Sequence, residues 1–181
     1  MEIFPYGDVK GRVLTYILDR PTARVRVSRI AEKVGASKGH VSEVISGLKR
    51  EGIIRKDMVD LKNPYVRSLK IAINVNKISR GGIIPILKTL NPEGAGLYGS
   101  WANGTNTEES DIDMWVKTED AVSALKKAEL RSRIGKILGV EPQIIMLGEE
   151  QIKKLKDGNE VFYFSLLMGS IVLFGENVGR A

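Results

Sequence analysis

The sequence predicts an α+β protein made of two units, and three observations predict it. Residues 1–80 hold 17 Lys and Arg against 8 Asp and Glu, whereas residues 81–181 hold 11 against 14, so a basic half is joined to a mildly acidic one. Apolar residues recur at helical spacing through the basic half. In the second half, a short apolar run ends at Gly99-Ser100 and another is headed by Asp111 and Asp113, which reads as two strands with chemistry at their ends.

With 181 residues, 43% of them hydrophobic and 28% charged, the chain has room for one large domain or two small ones of ordinary soluble composition. There is no cysteine, which excludes a disulfide framework and a thiolate metal site. No apolar run approaches the ~20 residues of a membrane span, and Met1 to Pro5 lacks a basic region followed by an apolar core. A soluble cytoplasmic protein with no membrane partner is expected. The net charge of +6 divides as +9 and −3, so the first half is the one expected to face a polyanion.

From Asp8 to Leu18, the residues Val9, Val13, Leu14 and Ile17 fall at helical spacing, with Asp8 placed as a cap and Asp19-Arg20-Pro21 as the stop. Val27-Ser28 opens a second helix, capped by Ser28, with Ile30, Ala31 and Val34 on one side; Gly35 ends it. Ser37 caps a third helix. Its apolar side is Val41, Val44, Ile45 and Leu48, and its other side shows Lys38, Gly39, Ser42, Ser46 and Lys49. After Gly52, a strand begins at Ile53 to Lys56, a turn is expected at Lys62-Asn63-Pro64, and Val66 to Ile73 alternates as a second strand.

Three helices followed by a basic hairpin have the layout of a winged helix-turn-helix. Ser28 to Lys56 resembles the winged helix-turn-helix DNA-binding domains of many prokaryotic regulators: Ile30 to Ser37 looks like the second helix and its turn, Ser37 to Leu48 the recognition helix, and Glu51-Gly52-Ile53-Ile54 the step into the wing. The resemblance implies that the third helix enters the major groove of double-stranded DNA. Lys38, Lys49, Arg50, Arg55, Lys56 and Arg67 would then neutralise phosphates, with His40 and Ser42 at base edges. His40 is the only histidine and has no neighbour that would make it a metal ligand. The paired half-sites that such domains read point to a homodimer.

Val75 to Gly82 is polar and glycine-containing enough for a hinge, so the boundary is placed at residues 79 and 80. Ile83 to Leu90 forms a short amphipathic helix that tolerates Pro85 in its first turn. Ala95 to Tyr98 is a strand, Gly99-Ser100 the turn that leaves it, and Asp111 to Val116 the next strand. On that strand Asp111, Asp113 and Trp115 share one face, and Ile112, Met114 and Val116 the other. Ser123 to Leu138 is a helix, Val140 to Leu147 a third strand, Glu149 to Lys156 and Phe162 to Met168 further helices, Ile171 to Phe174 a closing strand, and Gly175 to Ala181 a tail. Trp101 follows Gly99-Ser100 and Trp115 follows Asp113, so the two flank the candidate site, and both are expected to pack.

Gly99-Ser100, then Ala102 and Gly104, then Ser110-Asp111-Ile112-Asp113 resemble the signature of minimal nucleotidyltransferases in the DNA polymerase beta superfamily. The resemblance covers about residues 81–181. It implies a nucleotidyltransferase-like mixed sheet with helices on one face, Gly99, Ser100 and Gly104 holding a nucleoside triphosphate, and Asp111 and Asp113 coordinating Mg²⁺. Active relatives carry a third aspartate on the third strand, where this chain has Gln143. An amide oxygen can ligate a metal but brings no charge and cannot act as a base. Glu141, two residues earlier, is the carboxylate that would substitute for it.

Taken together, the sequence points to Mg-dependent transfer of a nucleoside monophosphate from a nucleoside triphosphate to an unknown acceptor, with DNA binding through the first domain. A DNA-binding transcriptional regulator whose second domain binds nucleotide or dimerises without catalysis stands beside that reading. The resemblance supplies a third, an antitoxin that modifies a protein partner in a toxin–antitoxin pair.

Overall fold

The chain's first helix starts where its sequence places a cap: the Asp8 carboxylate accepts the Gly11 amide at 2.6 Å, and α1 runs Val9–Leu18. This computed structural model describes residues 8–179, so Met1 to Pro5 and the tail's final Arg180 and Ala181 lie outside the described residues. The chain divides into two compact units between Lys70 and Ile71.

In the first unit α1 is followed by α2 (Val27–Val34), α3 (Lys38–Arg50), β1 (Ile54–Arg55) and β2 (Met58–Val59). Gly35 ends α2 at φ 64°, a left-handed cap that suits glycine. The cap position at the start of α2 is Arg26 rather than Ser28. Ser37 accepts the His40 amide at 3.3 Å and opens α3. Val13, Ile30, Val41, Ile45 and Leu48 are buried, the helical phase expected from their spacing, and Ile53 is buried where the chain enters the hairpin. β1 and β2 pair antiparallel through Ile54 with Val59 and Arg55 with Met58, leaving Lys56 and Asp57 as a two-residue loop with φ of 49° and 59°. Positive φ at both loop positions is what a tight hairpin between twisted strands requires.

The expected second strand from Val66 to Ile73 is a helix instead. α4 spans Pro64–Arg80, so it also replaces the expected hinge at Val75 to Gly82, and the hairpin's second strand is β2. Asn63 accepts the Tyr65 amide at 2.9 Å and Pro64 takes the first helical position, a start signal rather than a turn. Lys70 hides the helical period from the sequence. It is buried, with its ammonium donating to the Leu18 carbonyl at 2.8 Å, so Val66, Lys70, Ile73, Asn74 and Ile78 form one buried stripe. Gly81 and Gly82 end the helix, and Gly82 is left-handed at φ 72°.

The second unit continues with α5 (Ile83–Lys88), β3 (Gly94–Tyr98), α6 (Gly99–Asn103), β4 (Ile112–Lys117), α7 (Ala124–Leu138), β5 (Pro142–Leu147), α8 (Glu149–Gly158), α9 (Glu160–Gly169) and β6 (Ile171–Gly175). The sheet order is β5-β4-β3-β6, with β4 and β5 parallel and the other pairs antiparallel. Ile112, Met114 and Val116 join Leu87, Leu97, Leu130 and Ile134 in one core.

The opposite face is not left open as expected. Trp115 and Leu147 pack there with Tyr163, Leu166 and Val178, so helices cover both faces over part of the sheet. Gly96 makes room for this second core. It sits directly across from Trp115, and a Cβ at Gly96 would lie 2.5 Å from the indole ring. Trp101 is buried as well, so both tryptophans pack as expected.

Candidate active site

Three strand ends converge at one end of the sheet. β3 delivers Tyr98 and, just past it, Gly99; β4 begins beside Asp111 and carries Asp113; β5 carries Gln143. Tyr98 pairs with Asp113 across the antiparallel β3–β4 ladder, and Asp113 with Gln143 across the parallel β4–β5 ladder. Side chains at paired positions in neighbouring strands emerge on the same face, so these three point to the same side of the sheet.

Gly99 is required by two constraints at once. Its φ is 66°, and a Cβ there would collide with Oδ2 of Asp113. The absence of a side chain lets the backbone turn sharply against the carboxylate. Gly99-Ser100 is not a free turn but the opening of α6, which Gly104 closes at φ 66° with its amide on the Ser100 carbonyl. The loop that carries the chain to Asp111 is held from several sides. Ser110 Oγ accepts the Thr107 amide at 2.9 Å, and buried Asn74 on α4 donates to the Trp101 carbonyl and to Asn106 Oδ1, both at 2.9 Å.

Gln143 Nε2 donates to Asp111 Oδ2 at 2.9 Å. Asp111 is exposed, whereas Asp113 is half-buried, and burial followed by the charge of Asp111 pushes the Asp113 carboxyl above its ordinary range. Tyr98 is also raised, by burial first and then by Asp113, and its ring meets Phe162 edge-on with centroids 5.8 Å apart. Glu141 is exposed just before β5, where its backbone carbonyl accepts the Ile112 amide at 3.0 Å.

Two carboxylates and one amide suit a hard cation that takes a few protein oxygens and completes its shell with phosphate oxygens and water. A cation would also relieve the repulsion that raises Asp113. Among the described residues no group of three or more His, Cys, Asp or Glu is placed to hold a metal by itself. Two clefts of about 570 Å³ lie at the far ends of β4 and β5, around Thr118 and Gly148 and around Lys117, away from these residues.

The expected site residues Gly99, Asp111 and Asp113 are therefore brought together, with Gln143 bound to the first carboxylate. Ser100 is next to them on α6, and Gly104 closes that helix. Sequence reasoning missed Asn74, Asn106 and Tyr98. Asn74 falls between the expected strand and the expected hinge, and a polar residue on the buried phase of a helix is the signal that exposes it.

The basic residues expected on the first unit are placed as follows. Lys38, His40, Ser42 and Arg50 are exposed on α3, and Arg55 and Lys56 are exposed on the hairpin. Lys49 is engaged with Asp57 at 2.8 Å. Arg67 lies in the first turn of α4, not on a hairpin strand, and donates to the carbonyls of Leu61 and Lys62 at 3.0 and 3.2 Å.

The family described as polymerase beta, nucleotidyltransferase matches residues 82–178, just over half of the chain. The Methanocaldococcus jannaschii protein named "Putative protein adenylyltransferase MJ0435" is 34% identical over 73 residues, which make up 40% of this chain and 77% of that protein. Among solved structures, a toxin–antitoxin with AMP-PNP matches with 24% identity and a TM-score of 0.42, over 57% of this chain and 74% of that one. A tri-AMPylated Shewanella oneidensis HEPN toxin in complex with the MNT antitoxin matches with 20% identity and a TM-score of 0.38, over 59% and 73%. The strand ends that carry Gly99, Asp111 and Asp113 lie inside the matched segment, and the chain belongs to the polymerase beta nucleotidyltransferase family.

Proposed function

We propose that the second unit transfers a nucleoside monophosphate from a nucleoside triphosphate to an acceptor hydroxyl, and that the first unit, as a winged helix-turn-helix, holds the enzyme on double-stranded DNA. The observation that carries the transferase reading is the seating of Gly99 against Asp113, with Asp111 beside it. The name of the archaeal relative favours ATP as donor and a protein as acceptor.

In this reading Asp111 and Asp113 hold Mg²⁺, which when bound neutralises charge on the triphosphate. The start of α6 at Gly99 and Ser100 receives the phosphates. Gly104 fixes that helix's length and therefore where Ser100 stands. Gln143 orients Asp111 through its amide. The acceptor oxygen forms a bond to the α-phosphorus as the bond to the bridging oxygen breaks, pyrophosphate leaves, and the acceptor's proton passes to water or to the Glu141 carboxylate.

On the first unit, exposed Lys38, His40, Ser42 and Arg50 on α3 meet DNA together with Arg55 and Lys56. Lys49 and Arg67 contribute from positions already engaged with Asp57 and with loop carbonyls. A homodimer would match two half-sites.

The test is incubation with Mg²⁺, α-labelled ATP and candidate acceptor proteins. Label transfer with release of pyrophosphate is expected, and the paired substitution Asp111→Asn with Asp113→Asn should abolish both. A second reading is favoured by Gln143, which takes the place of a third carboxylate: a DNA-binding regulator whose nucleotidyltransferase domain binds nucleotide without transferring it. Tight binding of ATP and Mg²⁺ with no transfer to any acceptor, alongside duplex binding that survives the same substitutions, would establish it instead.

A further inference from the structure

The ten residues from Arg20 to Arg29 contain four arginines and no acid. Arg20, Arg24, Arg26 and Arg29 surround one shallow depression, whose remaining lining is Tyr16 and four apolar residues. All four arginines are exposed.

The fold holds them in place. The Arg20 guanidinium sits 4.9 Å from the centre of the Tyr16 ring, a cation–π contact that tethers it. Arg24 and Arg26 are two residues apart on an extended stretch, so they project to the same side. That stretch is pinned to the hairpin by Val25 N–H on the Asp57 carbonyl at 2.8 Å and by Val59 N–H on the Pro21 carbonyl at 3.3 Å. Asp57 meets Arg24 at 3.5 Å and is the acid that the hairpin brings to this group.

For stability alone, this charge has the wrong sign. Arg26 is the N-cap of α2 and makes no side-chain capping bond, and the first turn of that helix holds no acidic residue. A helix start is the positive end of its dipole and favours acids. Arg26 and Arg29 therefore add positive charge at the positive end of α2 instead of capping it, an arrangement that complements a bound polyanion.

We infer that Arg20, Arg24, Arg26 and Arg29 form a binding surface for the phosphate backbone of duplex DNA, separate from the α3 residues named above. The inference rests on the reading that the first unit binds duplex DNA, and it adds where the backbone is gripped. Guanidinium forks match phosphate oxygens in pairs, and such contacts fix register without choosing sequence.

The experiment is a fluorescence-anisotropy titration of the full chain with a labelled mixed-sequence duplex over a range of KCl concentrations. The Arg26→Ala, Arg29→Ala variant is expected to lower the slope of log affinity against log salt by about 2, from ~0.9 per lost phosphate contact, and to weaken binding by more than tenfold near 0.1 M salt. Arg26→Lys with Arg29→Lys should keep the wild-type slope, since it keeps the charge. Arg131→Ala with Arg133→Ala, an equal loss of charge on α7, should leave the slope unchanged.

Circular dichroism melting of each variant separates loss of contact from loss of fold. If the Arg26→Ala, Arg29→Ala slope equals wild type while Lys38→Ala with Arg50→Ala lowers it, this surface is overturned and the DNA reading stands. A wild-type chain that binds no duplex at any salt overturns both.

Discussion

The side-chain amide of Gln143 donates to Asp111 Oδ2 at 2.9 Å from the neighbouring parallel strand. It brings a neutral donor to the Asp111 and Asp113 pair, where a carboxylate at the same register position would bring charge. Gln143→Asp is expected to let the site bind a second divalent ion in the presence of a non-hydrolysable ATP analogue, read as Mn²⁺ stoichiometry by electron paramagnetic resonance. Gln143→Leu removes the support and is expected to weaken Mn²⁺ binding by roughly tenfold, as loss of a group that orients a metal ligand does. Equal stoichiometry and affinity in all three proteins would deny Gln143 any role at the site.

Gly99 is the position where a single methyl group should do most damage. Alanine there must adopt φ 66° and also displace the Asp113 carboxylate. Gly99→Ala is expected to lose about 1–3 kcal/mol of stability in chemical denaturation, the usual cost of a residue held in a disfavoured backbone region. It should also abolish the thermal stabilisation expected of the wild type with ATP and Mg²⁺. Full retention of that stabilisation would contradict the packing described.

The raised Asp113 carboxyl sets a pH dependence with a definite sign. The folded protein holds this proton to a higher pH than the unfolded chain, whose value is near the ordinary 3.8. Stability contributed by the protonated group is present below that value and is lost as pH rises through the raised folded one. Asp113→Asn should therefore melt higher than wild type above this window, and the gap should close as the solution is acidified. Added Mg²⁺ should raise the melting temperature of the wild type at neutral pH and leave that of Asp113→Asn unchanged.

Lys117 is a buried ammonium at the end of β4, 2.7 Å from Glu93 and 3.1 Å from Glu176. Hydrogen bonding to Glu93 raises its pKa against the opposing effect of burial, with Glu176 adding to the rise. It therefore keeps its charge to a higher pH than an ordinary lysine, and its ion pairs tie the end of β4 to the residue before β3 and to the segment after β6. Lys117→Met keeps the aliphatic stem and removes the charge. Because both glutamates are half-exposed and can be rehydrated, the expected loss in urea denaturation is about 1–3 kcal/mol, below the 3–5 kcal/mol seen when a fully buried pair is broken. Nucleotide binding at the other end of the strands should be untouched.

Local signals were enough for most of the chain. Asp8 and Ser37 cap their helices, Gly35 stops α2, and the apolar alternation at Ile112, Met114 and Val116 points into the core as the pattern demands. These are events within a few residues, decided by backbone sterics and by the choice between water and an apolar neighbour. The glycine-serine and Asp-x-Asp stretches were legible for the same reason, since each sits at a strand end that its own residues define.

Tertiary structure alone decided what depended on distant partners. Val66 to Ile73 alternates like a strand, yet Lys70 finds the Leu18 carbonyl and Asn74 finds Trp101 and Asn106, and these buried bonds let polar residues complete a helix's inner face. α8 and α9 cover the sheet face expected to be open because Trp115 needs a core and Gly96 leaves space for one. The sequence determined by itself that Gly99, Asp111, Asp113 and Gln143 stand at strand ends. That Gln143 binds Asp111, and that Gly99 clears Asp113, came only from the strand register, because no residue's neighbours across a sheet are written in its own stretch of chain.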